Sequence, residues 1–215
     1  MLREIISNDW FTILIVFSTS ILAVAKYAFS NRFNDFLWVV GNSKYLKIYT
    51  REQKFIDKFD SLLFANLIIS LSIFLFLCYV TLIETTAFNI LLFLKIVLGV
   101  GALILIKVLL ERLIGSLFEI DALIDSYIFQ KTSYKNYIGL LLLPINAVLI
   151  FALQPSSLII YVILSLLLII NLTGFITSLK ANQKLIISNI FYFILYLCAL
   201  EIAPYIILYK LLINS

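Results

Sequence analysis

The sequence predicts an all-α fold, a polytopic transmembrane helical bundle of about six spans with amphipathic cytoplasmic segments. Three observations predict it. The chain of 215 residues is 63% hydrophobic and 13% charged, whereas soluble domains sit near 45–50% apolar and about 25% charged. Apolar runs recur at roughly 20 residues, the length that carries a helix across a hydrocarbon core of ~30 Å. The runs are continuously apolar, unlike the alternating strands of a membrane barrel. They organise around FNILLFLKIVLGVGALILIKVLLER, Phe88 to Arg112, which carries Lys95 well inside.

The first span is expected over residues 10–29. The preceding MLREIISNDW is mixed in charge, and Phe11 to Ala25 runs into Lys26 with no A-x-A site. A retained helix is therefore expected over a cleaved signal. Residues 30–61 form a polar loop, assigned to the cytoplasm. Within it Phe33, Phe36, Leu37 and Val40 recur at helical spacing beside Trp38, which predicts a short helix lying in the interface. Gly41-Asn42-Ser43 breaks it. Thr50-Arg51-Glu52-Gln53 fits a capping box, so a new helix is expected to begin at Thr50 and enter the membrane near Ser61.

The second and third spans, 62–82 and 88–110, form a tight antiparallel hairpin. Beyond Lys107 the third helix leaves the membrane, with Lys107 and Glu111 spaced to pair along it. Residues 111–136 are the next cytoplasmic loop. Their first part is an amphipathic arm carrying Glu119, Asp121 and Asp125, and Gln130 to Asn136 is the loop proper. The fourth span, 137–153, contains Pro144, which predicts a kink. Gln154-Pro155-Ser156-Ser157 is a turn. The fifth span, 158–179, holds Gly174 and Ser178, a small-xxx-small pair that lets another helix approach. Residues 180–184 turn back into a sixth span, 185–208, interrupted near its end by Glu201 and Pro204.

Charge supplies the topology. Apart from Arg3, Lys95 and Lys210, the 16 basic residues fall in the loops after spans one, three and five. The positive-inside rule places those loops in the cytoplasm and both termini in the periplasm. The net charge of +4 is thus a topology signal with no dense basic patch, and no nucleic-acid partner is expected. There is no histidine, and Cys78 and Cys198 lie in apolar segments as small buried groups. No cofactor is expected.

Few polar groups remain for chemistry. Lys95 and Glu201 both fall ~10 Å below the outer surface at 1.5 Å per residue. A buried pair there reads as an ion- or proton-linked switch, or as a lock between two helices or two snorkelling side chains; the lock outweighs the switch, because only one such pair exists. Asn66, Asn146 and Asn171, with Tyr192, Tyr196 and Tyr205, read as interhelical hydrogen-bonding groups more than as a substrate site. Gly99-Val100-Gly101 and the prolines either make the bundle adaptable or shape its packing. Asp121 and Asp125 share a helix face, the weak candidate for a divalent cation; a solvated face is the stronger reading. No nucleophile stands beside a base, and no Gly-rich phosphate loop is present.

The hydrophobic order, the long basic loop with NRFNDFLW (Asn31 to Trp38) and the Ile-, Phe-, Lys- and Asn-rich usage together resemble a family of small inner-membrane proteins from Bacteroidota that carries an unknown-function label. The resemblance implies an inner-membrane location and transfers no functional residue. The leading expectation is a non-enzymatic membrane subunit or assembly factor that binds other envelope proteins, in a secretion or envelope-biogenesis setting. The alternatives are a small ion- or proton-coupled transporter using Lys95 and Glu201, and a lipid-modifying enzyme using Asp121 and Asp125. Beyond the lipid bilayer and other membrane or envelope proteins, no partner is expected, and no substrate is named.

Overall fold

The computed structural model of the chain describes residues 9–41, 44–50, 57–83, 89–153, 155–188 and 194. They are all-helical: α1 Asp9–Ala28, α2 Ser30–Leu37, α3 Lys44–Tyr49, α4 Lys58–Leu82, α5 Ile90–Leu117, α6 Asp121–Phe151, α7 Ser157–Ala181 and α8 Gln183–Ser188. Five of these, α1, α4, α5, α6 and α7, are long and apolar enough to cross a membrane. A sixth span over 185–208, with Glu201, Pro204 and the three tyrosines Tyr192, Tyr196 and Tyr205, lies outside the described residues apart from its first turn and Ile194.

The helices run alternately up and down, as two apolar clusters show. At one end Phe11, Phe76, Leu77, Phe93 and Leu149 pack together. At the other, Ala25, Phe33, Phe36, Tyr45, Phe59, Phe129 and Tyr134 do. The start of α1 and the end of α4 thus share one end with the start of α5 and the end of α6. The second end, where α5 turns into α6, is called the turn end below.

α4 is the central helix. Half of its most apolar stretch is buried, whereas only 17% is for α1 and α7 and 11% for α5. Leu98, Leu103, Leu158 and Ile169 are all at least 60% exposed. Contiguous apolar surface of this extent is foreign to a soluble monomer, and lipid is its natural solvent. Two glycines set the helix spacing. A Cβ at Gly139 would lie 2.6 Å from Leu67 Cα, so α6 rests directly on the α4 backbone. A Cβ at Gly174 would lie 2.5 Å from Tyr134 Cγ, so α7 receives the Tyr134 ring of α6. Polar groups pin the same interfaces. Ser18 donates to Asn66 Oδ1 at 2.6 Å, and Asn146 Nδ2 donates to the Ser70 carbonyl at 2.8 Å, joining α1, α4 and α6.

Three expectations need correction. Residues 130–136 are not a loop: α6 runs unbroken from Asp121, and it stays helical through Pro144. The reversal is instead Phe118–Ile120, where Ile120 N–H reaches the Gly115 carbonyl and Glu119 N–H reaches Ser116. Glu119 there has φ +55°, which makes a Schellman close with a non-glycine residue in the left-handed region. The helix that passes Ser61 does not begin at Thr50: α4 starts at Lys58, and the remaining residues of the Thr50–Gln53 capping box lie outside the described ones. The N-cap of α4 is Asp57, whose carboxylate accepts from Phe59 N–H at 2.9 Å, and residues 51–56 lie outside the described ones. The short helix expected near residues 33–40 is present as α2, with Phe33 and Phe36 buried against Phe59 and Leu37, Trp38 and Val40 exposed. Finally, Glu111 is engaged across the helix pair by Lys131 of α6, not along α5.

Candidate functional site

The turn end concentrates the polar groups, in two neighbourhoods. The first lies between α5, α6 and α7. Glu111 is fully buried, and its Oε1 accepts from Lys131 Nζ. The Lys131 ammonium also stands 5.5 Å from the Tyr127 ring centroid, within the range of a cation–π contact. A cavity of about 60 Å³ opens beside it, lined by Tyr127, Lys131, Tyr134, Asn171, Gly174 and Ser178. The Ser178 hydroxyl is fully buried and has no hydrogen-bonding partner among the described residues. One turn on, Asn182 accepts from Ser126 at 2.7 Å and donates to the Ser178 carbonyl at 2.9 Å. At 1.5 Å per residue, Lys131, Glu111 and Ser178 all lie ~30–33 Å from the far ends of their helices, the depth of a bilayer's polar boundary.

The second neighbourhood fastens α2 and α3 to the start of α4. Arg32 donates to Asp57 at 2.5 Å and to Asp60 at 3.0 Å. Its guanidinium lies 4.8 Å from the ring centroids of both Tyr49 and Phe59. Burial, with the adjacent Asp60 carboxylate, pushes the Tyr45 phenol above its ordinary range, and Tyr45 remains a neutral donor to Asp60 at 3.4 Å. A planar guanidinium that pairs with two carboxylates and stacks on two rings is a structural clasp, which a lysine would not reproduce. The sequence reading did not find it, because 25 positions separate Arg32 from Asp57.

The other sequence candidates are dispersed. Lys95 is exposed on α5, far from the turn end, and its proposed mate Glu201 lies outside the described residues. Gly174, Ser178 and Asn171 line the small cavity together. Asp125 lies 3.6 Å from Arg112, with its side chain half exposed, and Asp121 is exposed. Among the described residues no group of three His, Cys, Asp or Glu side chains is placed to hold a metal ion. Cys78 is half-buried and forms no disulfide among the described residues.

A bundle of membrane-length helices, polar at one end and apolar over most of its outer surface, defines an all-helical protein of the multi-pass membrane class. Residues 11–212 match the domain of unknown function DUF4271. The match covers nearly the whole chain, which therefore belongs to that family. No curated protein and no solved structure matches the chain.

Proposed function

We propose that this chain is a non-enzymatic integral subunit or assembly factor of a Bacteroidota inner membrane, one that binds other envelope proteins in secretion or envelope biogenesis. The observation that carries the reading is the outer face of α5. Lys95, Gly99 and Ala102 are all exposed on it, and a Cβ at Gly99 would meet no atom within 4 Å. An ionisable group and a small residue at helical spacing suit a second helix better than lipid. Lys95 lies ~8 Å beyond the start of α5, so the partner that suits it is a transmembrane helix with a carboxylate at that depth.

The orientation that goes with this reading puts the turn end in the cytoplasm. Lys26, Arg32, Lys44, Lys47, Lys58, Arg112, Lys131 and Lys180 belong to helix ends and short helices at that end, which accords with the positive-inside rule. Both termini are then periplasmic. The transporter built on Lys95 and Glu201 is the alternative, and the exposure of Lys95 favours docking over a relay closed within the chain. The lipid-modifying enzyme is the weaker reading, since Asp125 is already engaged with Arg112.

A photo-crosslinking residue at Ala102, activated in native membranes, tests the proposal. A discrete protein adduct supports it. Lipid adducts alone, together with solute movement by the purified chain, would favour the transporter.

A further inference from the structure

α7 stands proud of the bundle, with only 17% of its most apolar stretch buried. Its outward side chains are not spread evenly. Tyr161, Leu164, Leu168, Asn171 and Phe175 follow one another at spacings of three, four, three and four residues, and all five are exposed. That alternation averages about 3.5 residues, the period that keeps one seam of a helix against a neighbouring helix as the two wind round each other. The seam borders a groove of about 690 Å³, whose other walls include Leu67 and Leu71 of α4, Ile104 of α5 and Ile138 of α6. A ridge with a groove beside it is complemented by a second ridge and groove of the same shape.

Asn171 interrupts the apolar character of the seam. It lies ~21 Å from the start of α7 and ~15 Å from its end, near the middle of the bilayer. Acyl chains offer an amide no hydrogen bond, so an exposed one at that depth suits a helix contact. Charge complementarity names the partner. The amide carries partial positive charge on its NH2 group and partial negative charge on its oxygen, and a second amide in the inverse orientation answers both. A two-fold axis along the membrane normal keeps two copies in the same orientation across the bilayer and brings the same patch of each together. In such a parallel pair each seam residue meets its counterpart, so the two amides coincide without a shift of register. One Asn in an otherwise apolar seam is the device that fixes register and oligomer state in helix pairs.

We propose that two copies of this chain pair through the seam of α7, as a parallel left-handed helix pair with the two Asn171 amides hydrogen-bonded across the axis. Each α7 rests over the groove of the other copy. Ile104, on the α5 wall of that groove, lies on a different side of α5 from Lys95 and Gly99. Dimerisation therefore leaves the Lys95 face open, and it is compatible with a docking subunit and with a transporter alike.

Oxidative cross-linking in native membranes tests the seam. In a background carrying Cys78→Ser and Cys198→Ser, Leu168→Cys is expected to give a disulfide-linked species of twice the chain mass. Leu166→Cys, exposed on the opposite side of α7, is expected to stay monomeric. Fluorescence energy transfer between two labelled populations of the full chain in liposomes measures the strength of pairing. Asn171→Leu is expected to weaken it about fivefold, the equivalent of about 1 kcal/mol for one interhelical hydrogen bond. Because it exchanges one exposed side chain for another, it leaves the fold of the chain intact. Asn171→Gln retains most of the pairing, and Gly99→Leu leaves it unchanged. No dimer from Leu168→Cys, an adduct with a different protein in its place, or cross-linking from Leu166→Cys as strong as from Leu168→Cys would overturn the proposal. So would pairing indifferent to Asn171→Leu, or pairing lost with Gly99→Leu.

Discussion

Glu111 of α5 and Lys131 of α6 form an ion pair in which the carboxylate is wholly buried and the ammonium nearly so. The pair stands where the two helices emerge from the apolar layer, and Glu111 Oε2 has no further partner among the described residues. Removing one member of such a pair strands a charge, whereas removing both restores an apolar contact. Lys131→Met is therefore expected to destabilise the bundle by about 3–5 kcal/mol. The double variant Glu111→Leu/Lys131→Met should recover most of that loss. Thermal unfolding of the detergent-solubilised protein measures both.

The close approach of α6 to α4 gives a graded test on glycine. Gly139→Ala sets a methyl group 2.6 Å from a backbone atom of Leu67, which the helices cannot relieve by turning a side chain. Overpacking of this kind costs about 1–3 kcal/mol. Gly101→Ala places its methyl group 3.6 Å from Ile68 Cδ1, ordinary van der Waals contact, and should be neutral or slightly stabilising. Equal behaviour of the two variants would show that the α4–α6 contact is looser than described.

The reversal between α5 and α6 carries strain. Glu119 holds φ +55°, a region that costs a side-chain-bearing residue about 1–2 kcal/mol. Glu119→Gly should raise stability by roughly 1 kcal/mol, and Glu119→Ala should not. The same unfolding measurement distinguishes them.

Much of this architecture was readable from residue pattern, and the exceptions have physical causes. Apolar runs locate the membrane helices because lipid demands uninterrupted apolar length, and the Gly174–Ser178 spacing points to the face that receives Tyr134. The pair Glu111–Lys131 escaped because local spacing offered Lys107 as a mate, while the partner chosen by the fold is 20 positions away. Residues 130–136 look like a loop, since Gln130, Lys131, Ser133 and Asn136 are polar. In the fold Gln130, Ser133 and Asn136 are buried among neighbouring helices, which keeps a polar stretch helical. Thr50 looked like the start of the helix that enters the bundle, and Asp57 is the residue that caps it. Gly139 gave no signal, because a lone glycine before a leucine run says nothing about which backbone will come near.

Orientation follows from the proposed topology. A cysteine at Lys44, on the exposed surface of α3, is expected to resist an impermeant maleimide in intact spheroplasts and to react once the membrane is opened. Labelling before lysis would invert the bundle.

Affinity purification of the tagged full chain from native membranes, read by mass spectrometry beside a Gly99→Leu variant, addresses the central proposal most directly. Gly99 faces open space, so the leucine leaves the chain's own packing untouched while occupying the place of a neighbouring helix. The account predicts a stoichiometric membrane protein with the unaltered chain and its loss with Gly99→Leu, at unchanged thermal stability. A chain that purifies alone, or the same companions in both preparations, would contradict it.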